Sequence, residues 1–254
     1  WEYGLPTPEW IEWNFSSSDS VMIHDGNRTL YVGLMKQAQW PNNHPDTPPW
    51  LYAIDTQSKS LKWKNQLTHV EESVNGLSLG AQNELFVAGD HQRIYAYNAM
   101  TGVKLWEKHI PTPGEELGVT PLIGSDGTLY INGDESGYVH ALDSQNNGQS
   151  KWEYNVGGEN EGSLTMDNNG TLYFNNEDTK KLYALKTDSP GLAVSPWPKF
   201  MADIRNTGYF GDHNSSFTPP TINTQPVADQ NATMGSNVTF SVDANGTGLT
   251  YQWQ

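Results

Sequence analysis

Three glutamates, Glu72, Glu115 and Glu161, each stand nine residues beyond a tryptophan, at Trp63, Trp106 and Trp152. Carboxylates recurring at one offset suit two chemistries. With carbonyl oxygens they coordinate a hard cation such as Ca2+, and as an anionic rim they attract a basic partner. Asp90 and His91, Asp134 and Glu135, and Glu177 and Asp178 add charge in neighbouring stretches. A solvated acidic face explains the same residues without a site, so the metal assignment stays open. A second group lies in LMKQAQWPNNHPDTPPW, residues 34–50, which holds Trp40, His44, Trp50 and four prolines. Aromatic faces on a proline-stiffened loop stack on sugar rings or grip peptides at little entropic cost. Folded back, the same rings cover a sheet edge.

Signatures of catalysis are sparse. The seven histidines are scattered, and none belongs to an H-E-x-x-H pattern. No G-x-S-x-G and no phosphate-cradling glycine loop occurs, so no residue is assigned a catalytic role. Cysteine is absent, which excludes disulfides, thiolate zinc sites and iron–sulfur clusters within these 254 residues. The 14 Lys and Arg against 29 Asp and Glu leave a net charge of -15. Such a surface repels phosphate backbones and anionic headgroups, so neither nucleic acid nor membrane partners are expected. No stretch is apolar enough for a spanning helix, and no basic-plus-apolar leader is visible. Ten Trp and twelve Tyr, with many Asn, Ser, Thr and Gly, suit short strands and tight turns.

The elements that position these residues are repeated. AIDTQSKSLKW at 53–63 returns as AYNAMTGVKLW at 96–106, as ALDSQNNGQSKW at 141–152, and more loosely at 184–197. Ala53, Ala96, Ala141 and Ala184 are 43, 45 and 43 residues apart. TLYVG, ELFVAG, TLYING and TLYFNN precede them in turn. A period in the low forties, built of short strands, predicts four-stranded β-propeller blades. In the third unit the strands read 119–124, 128–133, 138–143 and 150–156. Asp55, Asn98 and Asp143 end the third strands, where their side chains accept hydrogen bonds from turn N–H groups. The links between units and the loops between second and third strands share one face, and the acids gather there.

The phrase A-x-[D/N]-x-x-[T/S]-G-x-x-x-W resembles the tryptophan-docking repeat of pyrroloquinoline-quinone-like (quinoprotein-like) β-propellers. Residues 96–106 match it position for position, whereas Lys59 replaces the glycine in the first copy and Lys186 the acid in the fourth. The resemblance implies that Ala53, Trp63, Ala96, Trp106, Ala141, Trp152, Ala184 and Trp197 hold adjacent blades together. It also implies a ring of seven or eight blades, of which four are visible. Trp13, within IEWNF at 11–15, holds the outer-strand position of a preceding blade. The segment 195–210 is similar to a closing segment that follows the last blade.

The fold is therefore expected to be all-β, with propeller blades over 1–211, a linker at 212–218 and a truncated sandwich over 219–254. In the last part Val238, Phe240 and Val242 alternate and Trp253 follows, which resembles the start of a bacterial Ig-like domain. Propellers of this kind serve as assembly scaffolds, which implies a non-catalytic binding module. It is expected to be a monomeric part of a longer bacterial chain, extracellular or at the cell surface, with a protein or carbohydrate partner. No cofactor is predicted; a Ca2+ site stays open, and pyrroloquinoline quinone is not expected. A quinoprotein dehydrogenase using pyrroloquinoline quinone and Ca2+ is the competing implication, but no stretch matches its quinone site or its vicinal cysteines. A carbohydrate-binding or carbohydrate-active protein using loop 34–50 is the third.

Overall fold

The computed structural model describes residues 20–34, 49–69, 74–111, 117, 120–133, 136–160, 162–204, 206–208 and 221–224, and near the C-terminus 231, 233, 235–239 and 241–245. The chain divides into two units, Trp1–Gly211 and Asp212–Gln254.

The first unit is a series of antiparallel meanders. Blade 1 comprises β1 (Ser20–His24), β2 (Thr29–Leu34), β3 (Trp50–Asp55) and β4 (Ser60–Gln66), paired in chain order. Blade 2 comprises β5 (Val74–Leu79), β6 (Glu84–Gly89), β7 (Arg93–Asn98) and β8 (Lys104–His109). Blade 3 comprises β9 (Leu122–Ile123), β10 (Thr128–Asn132), β11 (Tyr138–Asp143) and β12 (Gln149–Asn155). Its inner strand is shorter than expected because Pro121 has no N–H to donate to the ladder. Among the described residues blade 4 has three strands, β13 (Thr165–Met166), β14 (Thr171–Asn176) and β15 (Lys181–Lys186). The architecture is that of β-propeller blades.

The core lies between blades rather than within one sheet. Along β6, Leu85 and Val87 face the blade 1 side while Phe86 and Ala88 face blade 3. Along β10, Leu129 and Ile131 face blade 2 and Tyr130 faces blade 4. A strand buried on both faces needs apolar residues at nearly every position, which is why these strands read as continuous apolar runs. The outer strands are more exposed: β4 is exposed at every second residue, and β12 at every residue but Trp152.

Turns lock each blade at the opposite end from the links. Thr56, Ala99, Ser144 and Thr187 donate their backbone N–H to the carbonyls of Arg28, Asn83, Gly127 and Gly170, the same bond in all four blades. Asp55 accepts from the N–H of Gln57 and Ser58, Asn98 from Met100 and Thr101, and Asp143 from Gln145.

The chain leaves blade 4 unlike the other blades. Instead of returning as an outer strand beside β15, residues 191–198 run along the ends of the inner strands of blades 3 and 2. Ser125 N–H donates to Gly191 O, Ile123 N–H to Pro198 O and Leu79 N–H to Trp197 O, each at 2.8 Å. Trp197 therefore sits by Leu79 and packs on the core between blades 1 and 2, not opposite Ala184. The physical reason is local: Pro196 and Pro198 flank Trp197, and neither has an N–H for a strand ladder.

In the second unit, β16 (Thr221–Thr224) pairs antiparallel with β17 (Asp243–Asn245). The alternation of Val238, Phe240 and Val242 predicts a strand from 235 on; among the described residues there, 243–245 form one. Val238 is exposed, because a two-stranded pair has no second sheet on which to bury an apolar face.

Candidate functional site

Of the residues singled out for binding, Glu72, Glu115, Glu161, Trp40 and His44 lie outside the described residues. Trp50 is described and is engaged within blade 1. It opens β3, packs against the Val32–Tyr52–Ile54 cluster with its ring 6.3 Å from that of Tyr52, and carries Lys64 Nζ 4.8 Å above its ring. Trp50 is thus half-buried against blade 1, and residues 35–48 of the loop before it lie outside the described residues.

The frame around the acidic links is well defined. The side-chain amide of Asn75 donates to Leu117 O, that of Asn132 to the carbonyls of Asn160 and Gly162, and that of Asn176 to Gly157 O. These amides tie the links from blade 2 to 3 and from blade 3 to 4 to strand ends. The link from blade 1 to 2 is held by Tyr95, whose hydroxyl donates to Thr68 O. There the His69 imidazole meets Glu107 at 2.8 Å, and Lys104 and Arg93 approach the same carboxylate at 2.8 and 3.4 Å. Burial would raise Glu107, but hydrogen bonds from Lys104 and His69 outweigh it and hold the carboxyl below its usual range. His69 is thereby a clamp on the link. Asp178 accepts from Glu159 N–H and braces the next one.

The carboxylates of the opposite, turn-bearing face are likewise engaged. Asp25 accepts from the N–H groups of Asn27, Arg28 and Thr29, and Asp167 from those of Asn169 and Thr171. Burial pushes Asp25 up, and these bonds more than reverse that. Asp55 is drawn down to about 2, chiefly by the Ser58 N–H and further by the Arg28 guanidinium 2.9 Å away. Among the described residues no group of three His, Asp or Glu is placed to hold a metal ion. Two clefts do open on this face. One of about 720 Å3 between blades 1 and 2 holds Asp25, Arg28, Asp55 and Lys62, whose opposite charges offset one another, with Pro196 of the closing segment in its wall. The other, about 250 Å3, lies between blades 2 and 3 beside Glu84 and Gln145. Sequence reasoning looked only to the link face; the return of 191–198 that walls these clefts has no signature beyond its prolines.

The repeat itself is an assembly device. Tyr31, Ala53 and Trp63 lie side by side on β2, β3 and β4, as do Phe86, Ala96 and Trp106 in blade 2 and Tyr130, Ala141 and Trp152 in blade 3. The alanine is small enough for the flanking rings to meet over it, with centroids 5.9, 6.0 and 5.8 Å apart. A register shift follows each alanine. Two of these indoles bond to the next blade: Trp63 Nε1–H donates to Ala99 O at 2.9 Å and Trp106 Nε1–H to Ser144 O at 3.1 Å. The glycine of the phrase is the seat for that indole. A Cβ on Gly102 would stand 2.7 Å from Trp63 Cδ2, and one on Gly148 2.9 Å from Trp106 Cζ3.

Residues 16–195, most of the chain, match the family described as outer membrane protein assembly factor BamB. The chain belongs to this family. Its match spans all four blades and ends within the closing segment. No curated protein matches. Among solved structures, it is similar to a europium-containing methanol dehydrogenase at 25% identity and TM-score 0.40, over 56% of this chain and 26% of that one. It is also similar to BamB from Moraxella catarrhalis at 18% identity and TM-score 0.47, over 70% of this chain and 56% of that one. The chain thus spans about a quarter and just over half of the lengths of these two proteins.

Proposed function

We propose that the chain is a non-catalytic platform that binds another protein, within an exported multidomain protein displayed outside the cell or at its surface. The observation that carries this reading is how its polar groups are engaged. Asp25, Asp55, Asp143 and Asp167 hold turns, Glu107 and Asp178 brace links, and Asn75, Asn132 and Asn176 tie the link backbones to the strands. A carboxylate so held is a poor general base, whereas loops so held make a pre-organised surface that loses little entropy on docking. Membership of a family described by an assembly factor supports the same reading. The net charge of -15 favours a partner with a basic face. Residues 219–254 are proposed as the beginning of an Ig-like module that spaces the blades from their attachment.

The test places a photoreactive benzoylphenylalanine at Thr68 or Glu177 on the link face, or at Gln57 or Gln145 on the turn face, in the host's own cell envelope. The expected result is one discrete cross-linked protein from the link face alone. Equal labelling from both faces would overturn the reading. So would alcohol oxidation by the purified protein supplied with pyrroloquinoline quinone and Ca2+.

A further inference from the structure

Blade 2 departs from its neighbours at one buried charge. The second strands of blades 1, 3 and 4 open on Thr29, Thr128 and Thr171, and that of blade 2 on Glu84. In blades 1 and 3 the threonine hydroxyl accepts from an ammonium, Lys62 Nζ or Lys151 Nζ, each at 2.6 Å. Both lysines stand immediately before a docking tryptophan, where blade 2 has Leu105. Arg28 of blade 1 is likewise matched by Asn83, since the carbonyls of both accept the same turn bond. Blade 2 has a carboxylate in place of the threonine and neither of the cations that would answer it. Glu84 is only 9% exposed. Its Oε2 accepts from the Gln82 N–H at 2.9 Å and its Oε1 from the Gln145 amide at 3.0 Å, both neutral donors. The turn of blade 2 uses Oε2, as that of blade 1 uses Asp25, and leaves Oε1 to the cleft between blades 2 and 3. Among the described residues no Lys, Arg or His lines that cleft. A carboxylate withdrawn from water without a counter-charge is costly, and bonds from neutral donors offset only part of the cost.

We propose that the cleft between blades 2 and 3 binds a small organic cation, an alkylguanidinium, through Glu84. Each carboxylate oxygen has accepted one bond and retains capacity for another. A planar guanidinium presents two parallel N–H donors to such a pair of oxygens. Phe86 and Ile123, with Ala193 and Val194 of the closing segment, give an alkyl chain an apolar wall. The volume of about 250 Å3 lies just below the roughly 300–1,000 Å3 of sites for drug-sized ligands, so the chain is short. The matching cleft between blades 1 and 2 carries its own Arg28 and Lys62 and is thereby closed to such a ligand. The site lies on the turn face and does not depend on the docking assigned to the link face.

The test is a titration of the full chain with butylguanidine in about 0.15 M salt, followed by NMR at the side-chain amide of Gln145. Saturable movement of that signal is expected, with none from butylurea, the neutral isostere. Glu84→Gln should weaken binding about tenfold or more, since a charge-assisted pair is lost. Leu105→Lys restores the residue that blades 1 and 3 carry. Its ammonium should fill the site from within, weaken butylguanidine to a similar extent and raise the melting temperature. Leu105 is 47% exposed, so this variant keeps the test decisive even where Glu84→Gln fails to fold. Absence of saturation in the parent, equal binding of butylurea, or an unchanged affinity in Leu105→Lys would overturn the proposal. Acetyl-Gly-Arg-Gly-amide is expected to bind more weakly than butylguanidine, because its backbone does not enter a cleft of this volume. Tighter binding of the peptide would overturn the free ligand and give the site to an arginine of a partner protein.

Discussion

Gly102→Ala tests the seating of the indole more sharply than removal of the indole itself. Gly102 has a φ of +74°, and an added Cβ would stand 2.7 Å from Trp63 Cδ2 and 2.8 Å from Cγ. The left-handed backbone costs an alanine about 1–2 kcal/mol wherever it occurs. The contact with the ring adds a separate term, because the indole is held by its Nε1–H bond to Ala99 O and cannot retreat without breaking it. Overpacking of this kind costs about 1–3 kcal/mol. Gly102→Ala should therefore destabilise the protein by about 2–5 kcal/mol in chemical denaturation. In a Trp63→Leu background only the backbone share, about 1–2 kcal/mol, should remain. The double-mutant cycle then yields a coupling of about 1–3 kcal/mol between residues on different blades. If Gly102→Ala costs the same with and without the indole, to within about 0.5 kcal/mol, the glycine serves its own turn only and the docking argument fails.

Acid stability follows from the turn carboxylates. Asp55 in the folded chain lies at about 2, and Asp25, Asp126 and Asp167 are also lowered, all against an unfolded value of about 3.9. Their contribution is complete above about pH 4 and is lost as the pH falls through the folded values. The melting temperature should drop from pH 4 toward 2, and Asp55→Asn should flatten that drop. A parent profile no steeper than that of the variant would refute the assignment. The acidic links supply the other expectation: if Glu72, Glu115 and Glu161 hold a cation, millimolar Ca2+ raises the melting temperature and substitution of any of them by Gln removes the rise. An unchanged parent melting temperature would leave the links as a solvated rim.

What the sequence made legible was whatever repeats. The spacing of the Ala and Trp markers located the strands, because each blade solves one packing problem with the same residues. The capping of turns by Asp55, Asn98 and Asp143 was legible for a related reason, since an Asx side chain acts within three residues of itself. The departures arise from contacts that are not local. Trp197 carries the docking phrase in its spacing, yet the prolines beside it send the chain across two other blades. At Gly102 and Gly148 only the neighbouring blade shows that the missing Cβ is where an indole lies. Asn75, Asn132 and Asn176 belong to no motif; their amides matter because link carbonyls pass beside them. Trp50 was legible as an aromatic in an unusual loop, but whether it faces solvent or Tyr52 is decided by register.

A second departure within the repeat that the structure accounts for is Lys59. It occupies the position of Gly102 and Gly148, and it takes the same left-handed backbone, with a φ of 56°. A lysine there keeps the turn but fills the space that an indole occupies at the two glycine seats. Blades 2 and 3 are therefore built to receive a tryptophan in one pose, and blade 1 is not.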